Sequence, residues 1–331
     1  MSKLISLRTP TPEHSAKPTG IPARPVIGDY LAYMKPKLTK GSLRVYRQRL
    51  FVFADYLETN HIGLDRITWK TVDAFLDHLL STHQAKKPGA STMAQTTIRG
   101  YYVNLKSFLN WCLHDRITYA GVLDERIIRQ ISGPPLDKVI VRVFSDEQIR
   151  ALLFWCAIEY NDFLVARDQT IIAVLTGCGL RCGELCSLKV GDCFLDDDSP
   201  HLIVFGKRHK ERRVPIGPQT AQTLAHYIDT YRAEARLDDP VFTTRTRTKP
   251  LAVSGVEQLF DRIGLAAGIT GVRCSPHTCR HYFASRFIKD GGSVYVLSKI
   301  LGHQNLGTTE IYLRSLGVDW NMNDLVTGIM R

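Results

Sequence analysis

The chain of 331 residues lacks any long apolar run. Its most apolar stretch, TIIAVLTGCGL at 170–180, falls well short of the roughly 20 residues that span a bilayer, so no contact with a membrane interior is expected. The opening MSKLISLRTPTPEHSAKP has no apolar core and soon meets proline, histidine and acid, so it does not read as a secretory signal. Eight cysteines are present but no CxxC pair, which argues against a structural zinc site and for free thiols in a reducing cytosol. Cys178, Cys182 and Cys186 stand at i, i+4 and i+8, where one continuous helix would align them as small buried hydrophobes. No internal repeat is visible.

Acid is in deficit. The net charge is +11, and it is uneven. Residues 1–133 carry 19 Lys and Arg against 10 Asp and Glu, net +9; residues 134–331 carry 24 against 22, net +2. A basic half beside a nearly neutral half fits an anionic partner such as nucleic acid held mainly by the first half.

The first 25 residues are rich in Pro, Thr and Ser and are expected to lack fixed structure. From 26 to 130 the periodicity is helical. Leu43, Tyr46, Leu50, Phe53 and Leu57 form one apolar stripe, and Ile98, Tyr102, Leu105, Leu109 and Cys112 form another. KKPGAST at 86–92 breaks the pattern, with Ser91 or Thr92 available to cap the next helix. The segment 131–144, ISGPPLDKVIVRVF, reads as an extended linker. A capping box, Ser145 with Gln148, then opens a second domain over 145–331. There HLIVFGKRHKERRVPIG signals two strands joined by a charged turn. The expected fold class is mainly α: an all-α first domain, then an α-rich second domain with a small antiparallel sheet (α+β).

Four stretches of the second domain could carry chemistry. In TGCGLRCGELCSLK, Arg181 and Glu184 share a helix face at i, i+3, which by itself fits an internal ion pair. The turn GKRHKERR could be a plain solvated turn, or it could deliver Lys207 to a phosphate with Lys210, Arg212 and Arg213 along a DNA backbone. In SPHTCRHYFASRFIKDGG, Ser275, Pro276 and Gly291 delimit a helix. It places His277, Arg280 and His281 on one face near its N-terminus, a setting suited to an anion. The HExxH glutamate of a zinc helix is missing there. Finally, SVYVLSKILGH reads as a short helix ended by Gly302, with His303 just beyond it. Thr308 or Thr309 could cap a following helix bearing Tyr312, which alone would pass for a half-buried core tyrosine.

The ordered set is more specific than its members. Arg-x-x-Glu, a hairpin lysine, His-x-x-Arg-His, and Leu-Gly-His followed nine residues later by Tyr resemble the boxes of the tyrosine recombinase family, of the phage-integrase and Xer type. The resemblance covers about residues 145–315 through its motifs, and 26–130 through its layout alone, as a helical core-binding domain. It implies a recombinase that cuts and rejoins DNA through a 3′-phosphotyrosyl intermediate, in integration, excision or resolution, with no ATP, metal or other cofactor. Tyr312 would be the nucleophile and His277 the general base. Arg181 and Arg280 would hold the non-bridging oxygens, Lys207 would protonate the leaving 5′ oxygen, and His303 would hydrogen-bond the phosphate. Glu184 and His281 would position these groups. Tyr282 is a rival nucleophile by location only, since it projects from another face of the Arg280 helix.

By the same resemblance the partners are double-stranded DNA, clasped between the two domains, and further copies of the chain. Four protomers would assemble on two sites in the cytoplasm, with the C-terminal DLVTGIM docking on a neighbour. Arg44, Arg47, Arg99 and Lys106, on polar helix sides of the first domain, are candidate DNA contacts. The competing classes are a DNA-binding regulator without cutting activity and a type IB topoisomerase. A regulator has no need of Tyr312 or Lys207. The Leu-Gly-His box and the chain's compact size disfavour the topoisomerase.

Overall fold

The computed structural model describes residues 20–82, 94–114, 123, 125–133, 141–158, 161–196, 198–206, 210–303, 309 and 312. The chain divides into two compact units, Met1–Lys138 and Val139–Arg331.

The first unit holds α1 (Ala23–Met34), α2 (Lys40–Thr59), α3 (Trp69–Thr82), α4 (Gln95–His114) and α5 (Glu125–Gln130). The expectation that fixed structure is lacking up to residue 25 does not hold at its end, because α1 already begins at Ala23; residues 1–19 lie outside the described ones. Pro25 falls in its first turn, where a missing N–H costs nothing. The Ile21 N–H donates to Asp65, and the Ile21 carbonyl accepts from the Leu64 N–H, fastening this entry to a 3-10 turn at Leu64–Arg66. Thr39 caps α2 by accepting the Ser42 N–H.

Leu50, Phe53 and Leu57 of α2 are buried against Ile98, Leu105, Leu109 and Cys112 of α4. Each such large apolar side chain, fully buried, contributes about 1.5–3 kcal/mol. The α4 stripe is wider than expected and turned by one residue: Tyr101 is in the core, whereas Tyr102 sits at its edge with its hydroxyl on the Ile131 carbonyl. Asn104 faces inward too, satisfied by Arg49. The expected Ser91 or Thr92 cap lies outside the described residues.

The second unit opens with the Ser145–Gln148 capping box at α6 (Asp146–Ala157). Then follow α7 (Asp162–Cys178), α8 (Cys182–Cys186), a sheet, α9 (Pro218–Tyr231), α10 (Val253–Ala266), α11 (Pro276–Lys289) and α12 (Val294–Leu301). The sheet is antiparallel in the order β1 (Cys193–Phe194), β2 (His201–Phe205), β3 (Glu211–Pro215), with Phe205 opposite Glu211 and His201 opposite Pro215. Part of the charged run expected in the turn, Glu211 to Arg213, therefore belongs to β3.

Helix α7 is the axis of this unit, packed by α6, α9 and α11. Apolar residues occupy most of its surface: Phe163, Leu164, Ile171, Ile172, Val174 and Leu175 are all buried. The expected alignment of Cys178 with Cys182 and Cys186 fails. Gly179 turns left-handed at φ 63° and ends α7, so the latter two lie on the separate α8. All eight thiols are free, and no group among the described residues could hold a metal ion. No described helix is long and apolar enough to cross a membrane.

Candidate active site

Helices α7 and α12 are each capped directly by a left-handed glycine, Gly179 and Gly302. Such ends leave carbonyls without intrahelical partners, at the negative pole of each helix. Arg280 of α11, only 2% exposed, uses both. Its Nη1 donates to the Gly179 carbonyl and its Nη2 to the Leu301 carbonyl, each at 2.7 Å. A buried guanidinium is tolerable only when its donors are matched, and these ends match them. Burial, then the nearby charge of Arg181, lowers Arg280 to about 10, so it stays cationic near neutrality.

The α7 end also sets Arg181. It is the residue before the first turn of α8, where its N–H donates to Glu184 Oε2 at 2.8 Å and its Nη1 to Oε1 at 2.7 Å. The i, i+3 pair expected from sequence is thus present. A second cation shares it: Arg212 of β3 donates to both Glu184 oxygens at 2.8 Å and, through Nε, to the Ile300 carbonyl. Burial alone would raise Glu184. Hydrogen bonds from Arg212 and the Arg181 backbone, with the charge of Arg212, outweigh it and hold the carboxyl at about 2. The Arg212 side chain is 13% exposed and that of Arg181 43%, so Arg181 is the arginine of the pair left open to a ligand.

His303 follows Gly302 and meets Arg280 Nη2 through Nε2 at 2.9 Å, with Nδ1 2.9 Å from the Thr309 hydroxyl. Arg280 can only donate, so Nε2 accepts and the proton sits on Nδ1, directed at Thr309. Burial, then Arg280 and Arg181, pulls His303 down to about 4, which keeps it neutral. Thr309 is itself helical rather than a cap, and Thr308 lies outside the described residues.

Tyr312 is 3% exposed and packs with Ala284, Leu297 and Leu301. Its hydroxyl lies 3.1 Å from His281 Nδ1, and the two rings are 5.3 Å apart. Burial raises the Tyr312 hydroxyl above its usual value, while Arg280 and Arg181 counteract that. His281 is held at about 4 by burial, then by His277, Arg280 and His303. His277, one turn earlier and exposed, meets the His281 ring edge-on at 4.2 Å and is likewise lowered, chiefly by burial and Arg280. The rival Tyr282 faces elsewhere, donating to Asp146 of α6 at 2.7 Å.

Arg181, Glu184, His277, Arg280, His281, His303 and Tyr312 therefore converge. Arg181 and Arg212 share the Glu184 carboxylate, with the Arg280 guanidinium, neutral histidines and a tyrosine hydroxyl beside them, an arrangement chemically suited to a phosphate. Lys207 lies outside the described residues. Lys210 is exposed at the foot of the hairpin, where its carbonyl takes the Gly206 N–H. The placing of Arg212 on a DNA backbone is corrected: Glu184 and the Ile300 carbonyl occupy it inside the site. Arg213 remains exposed, donating to the Ser199 carbonyl and His201. Of the first-unit candidates, Arg44 and Arg47 are exposed on α2, while Arg99 and Lys106 are half-buried on α4.

Reading the sequence missed the inward role of Arg212, although strand alternation with the buried Val214 two residues on would have signalled it. Nothing local signalled Thr309.

The model of the phage integrase family matches residues 142–317, and that of the phage integrase SAM-like domain matches 25–120. The chain is 31% identical to tyrosine recombinase XerD of Pseudomonas aeruginosa, over 87% of this chain and 92% of that one. It is 29% identical to tyrosine recombinase XerC of Yersinia pestis, over 87% and 89%. Among solved structures, XerH site-specific recombinase bound to palindromic difH substrate superposes with a TM-score of 0.75 at 17% identity, covering 91% of this chain and 95% of that one. A lambda integrase tetramer bound to a Holliday junction gives 0.68 at 16%, covering 92% and 81%.

Proposed function

Because this chain belongs to the phage integrase family, as a tyrosine site-specific recombinase of the Xer type, we propose that it cuts and rejoins DNA through a covalent link to Tyr312. The observation that carries this reading is the position of the Tyr312 hydroxyl in the same cluster as Arg280 and His281, built by one chain. Tyr312 attacks the scissile phosphate, forms a 3′-phosphotyrosyl bond and frees a 5′-hydroxyl. The link conserves the bond energy, and attack by a partner strand's 5′-hydroxyl reverses the step, so no ATP or metal is called for.

Arg181 and Arg280 hold the non-bridging oxygens where charge builds in the transition state. Arg280 arrives already oriented by two carbonyls, and Arg181 by Glu184. His303, its Nδ1 proton donated to Thr309 and its Nε2 accepting from Arg280, steadies that guanidinium toward the phosphate. Lys207 protonates the departing 5′ oxygen. The family resemblance gives the general-base role to His277, exposed beside this cluster.

The partners are double-stranded DNA and other copies of the chain, four on two sites, with the 26–130 domain and the exposed Lys210 and Arg213 supplying phosphate contacts. This agrees with the relatives solved on their DNA substrates and as a tetramer on a Holliday junction. The chain then acts in the cytoplasm, at the nucleoid. Tyr312→Phe tests the chemistry: with a nicked suicide substrate it should retain DNA binding and lose every SDS-stable protein–DNA adduct. An adduct that survives in this variant, or that maps to Tyr282, overturns the assignment.

A further inference from the structure

We propose that His281, rather than serving only to position its neighbours, takes the proton of Tyr312 as that hydroxyl attacks phosphorus. The inference rests on the reading of Tyr312 as the nucleophile. Within α11, His277 and His281 are one turn apart, and the resemblance that gives the base role to His277 rests on motif position rather than on contact with Tyr312. Of the two histidines, it is His281 that lies at hydrogen-bonding distance from the reacting oxygen, with Nδ1 3.1 Å from the Tyr312 hydroxyl. That fits the reach required of a general base before substrate arrives.

The groups facing His281 fix its state. His277 and Arg280 come from its own helix, His303 from beyond α12, and Tyr312 from the helical residues that follow. Burial first, and then His277, Arg280 and His303, oppose a charge on His281 and keep it neutral; to take the proton it must carry its own on Nε2 and leave Nδ1 as the acceptor of the Tyr312 hydroxyl. Burial meanwhile keeps Tyr312 protonated. With the histidine at about 4 and the phenol above its usual range, no proton moves in the free protein. The hydroxyl is primed but inert.

A phosphate entering beside Arg181, Arg280 and His303 changes the balance. Burial, the larger cause of the low His281 value, stays in place, but the phosphate's negative charge offsets the Arg280 field and so shifts the histidine upward, in the direction of its ordinary 6.5. The step then balances: the Tyr312 O–H bond breaks and its proton goes to His281 Nδ1. The phenolic oxygen forms the P–O bond, and the bond to the 5′ oxygen breaks as that oxygen takes up a proton from Lys207. Substrate binding itself switches on the base, which protects DNA-free enzyme from a stray phenolate.

The test compares His281→Asn with His277→Asn in full-length protein, reading single-turnover adduct formation on a nicked suicide substrate between pH 6 and 9. Asparagine places an oxygen or nitrogen near the Nδ1 position, so it can hold the hydroxyl but cannot take its proton. The expected result for His281→Asn is unchanged DNA affinity and a rate lowered about 10²- to 10⁴-fold at pH 7. That residual rate should climb roughly tenfold per pH unit, because hydroxide must now remove the proton, whereas wild type is nearly flat. His277→Asn should keep the flat profile.

A flat profile in His281→Asn, or a tenfold-per-unit climb in His277→Asn alone, overturns the proposal and leaves the recombinase reading standing. A wild-type protein that forms no adduct at Tyr312 overturns both. A measurement without any variant guards against misfolding: nitrogen NMR of labelled histidines at pH 7 should show His281 unprotonated at Nδ1. A proton found there overturns the proposal.

Discussion

Glu184 decides the charge balance of the site. Its two oxygens are shared between Arg212, which is nearly buried, and Arg181, which is not. Its carboxyl is held at about 2 against an ordinary 4.5, and the group is 6% exposed, so the shift corresponds to about 3 kcal/mol of folding stability. A depressed carboxylate contributes that increment above its unfolded value and loses it as pH falls through the folded one. Glu184→Gln should therefore unfold about 2–3 kcal/mol more easily at pH 7 in urea titrations. The gap to wild type should narrow as pH drops from about 4.5 toward 2; a gap independent of pH would remove Glu184 as its source. At this scale the sequence was partly readable. The Arg181–Glu184 pair followed from helical spacing alone. The inward face of Arg212 was marked by strand alternation, but its partner was not, because Glu184 lies 28 residues away and only the fold brings β3 against α8. The His281–Tyr312 contact, across 31 residues, was hidden for the same reason.

Helix ends, more than helix faces, build this site. Gly179 and Gly302 adopt φ 63° and 65°, and each stop delivers carbonyls to an arginine: Gly179 and Leu301 to Arg280, Ile300 to Arg212. The two glycines are not equally tolerant. A Cβ on Gly179 would come within 2.3 Å of Phe283 Cδ1, whereas one on Gly302 would stand 3.2 Å from Arg212 Cδ. Left-handed backbone costs a non-glycine residue about 1–2 kcal/mol, and overpacking adds about 1–3 more. Gly179→Ala should accordingly lose about 2–5 kcal/mol in chemical denaturation and Gly302→Ala about 1–2. Equal losses would refute the packing argument. The stop at Gly302 was legible in LGH, the Ser145 capping box in its spacing to Gln148, and the helical character of the first domain in its periodicity. The stop at Gly179 was not, since Cys178, Cys182 and Cys186 keep a helical spacing straight through it. Local spacing continues across a break that one left-handed residue imposes.

For the whole molecule the uneven charge is the feature with most consequence. The 1–133 half carries net +9 and the remainder +2, so the first domain is expected to supply most of the counterion release on DNA. The exposed Arg44 and Arg47 on one helix are its most accessible candidates, while Arg99 and Lys106 are half-buried and Lys106 already donates to Tyr102. Each phosphate neutralised on duplex DNA adds about 0.9 to the slope of log affinity against log salt. Binding of the full-length protein should therefore weaken steeply with ionic strength, and Arg44→Ala with Arg47→Ala should reduce that slope by about 2. The pair lies in a different unit from the Tyr312 cluster, so adduct formation at saturating DNA should stay at the wild-type rate. Fluorescence anisotropy across a salt series gives the slope, and gel-resolved adducts give the rate. A slope unchanged in the double variant would move the phosphate contacts off α2. A slope near zero in wild type would contradict a DNA clasp based on phosphate contacts, whatever the chemistry at Tyr312.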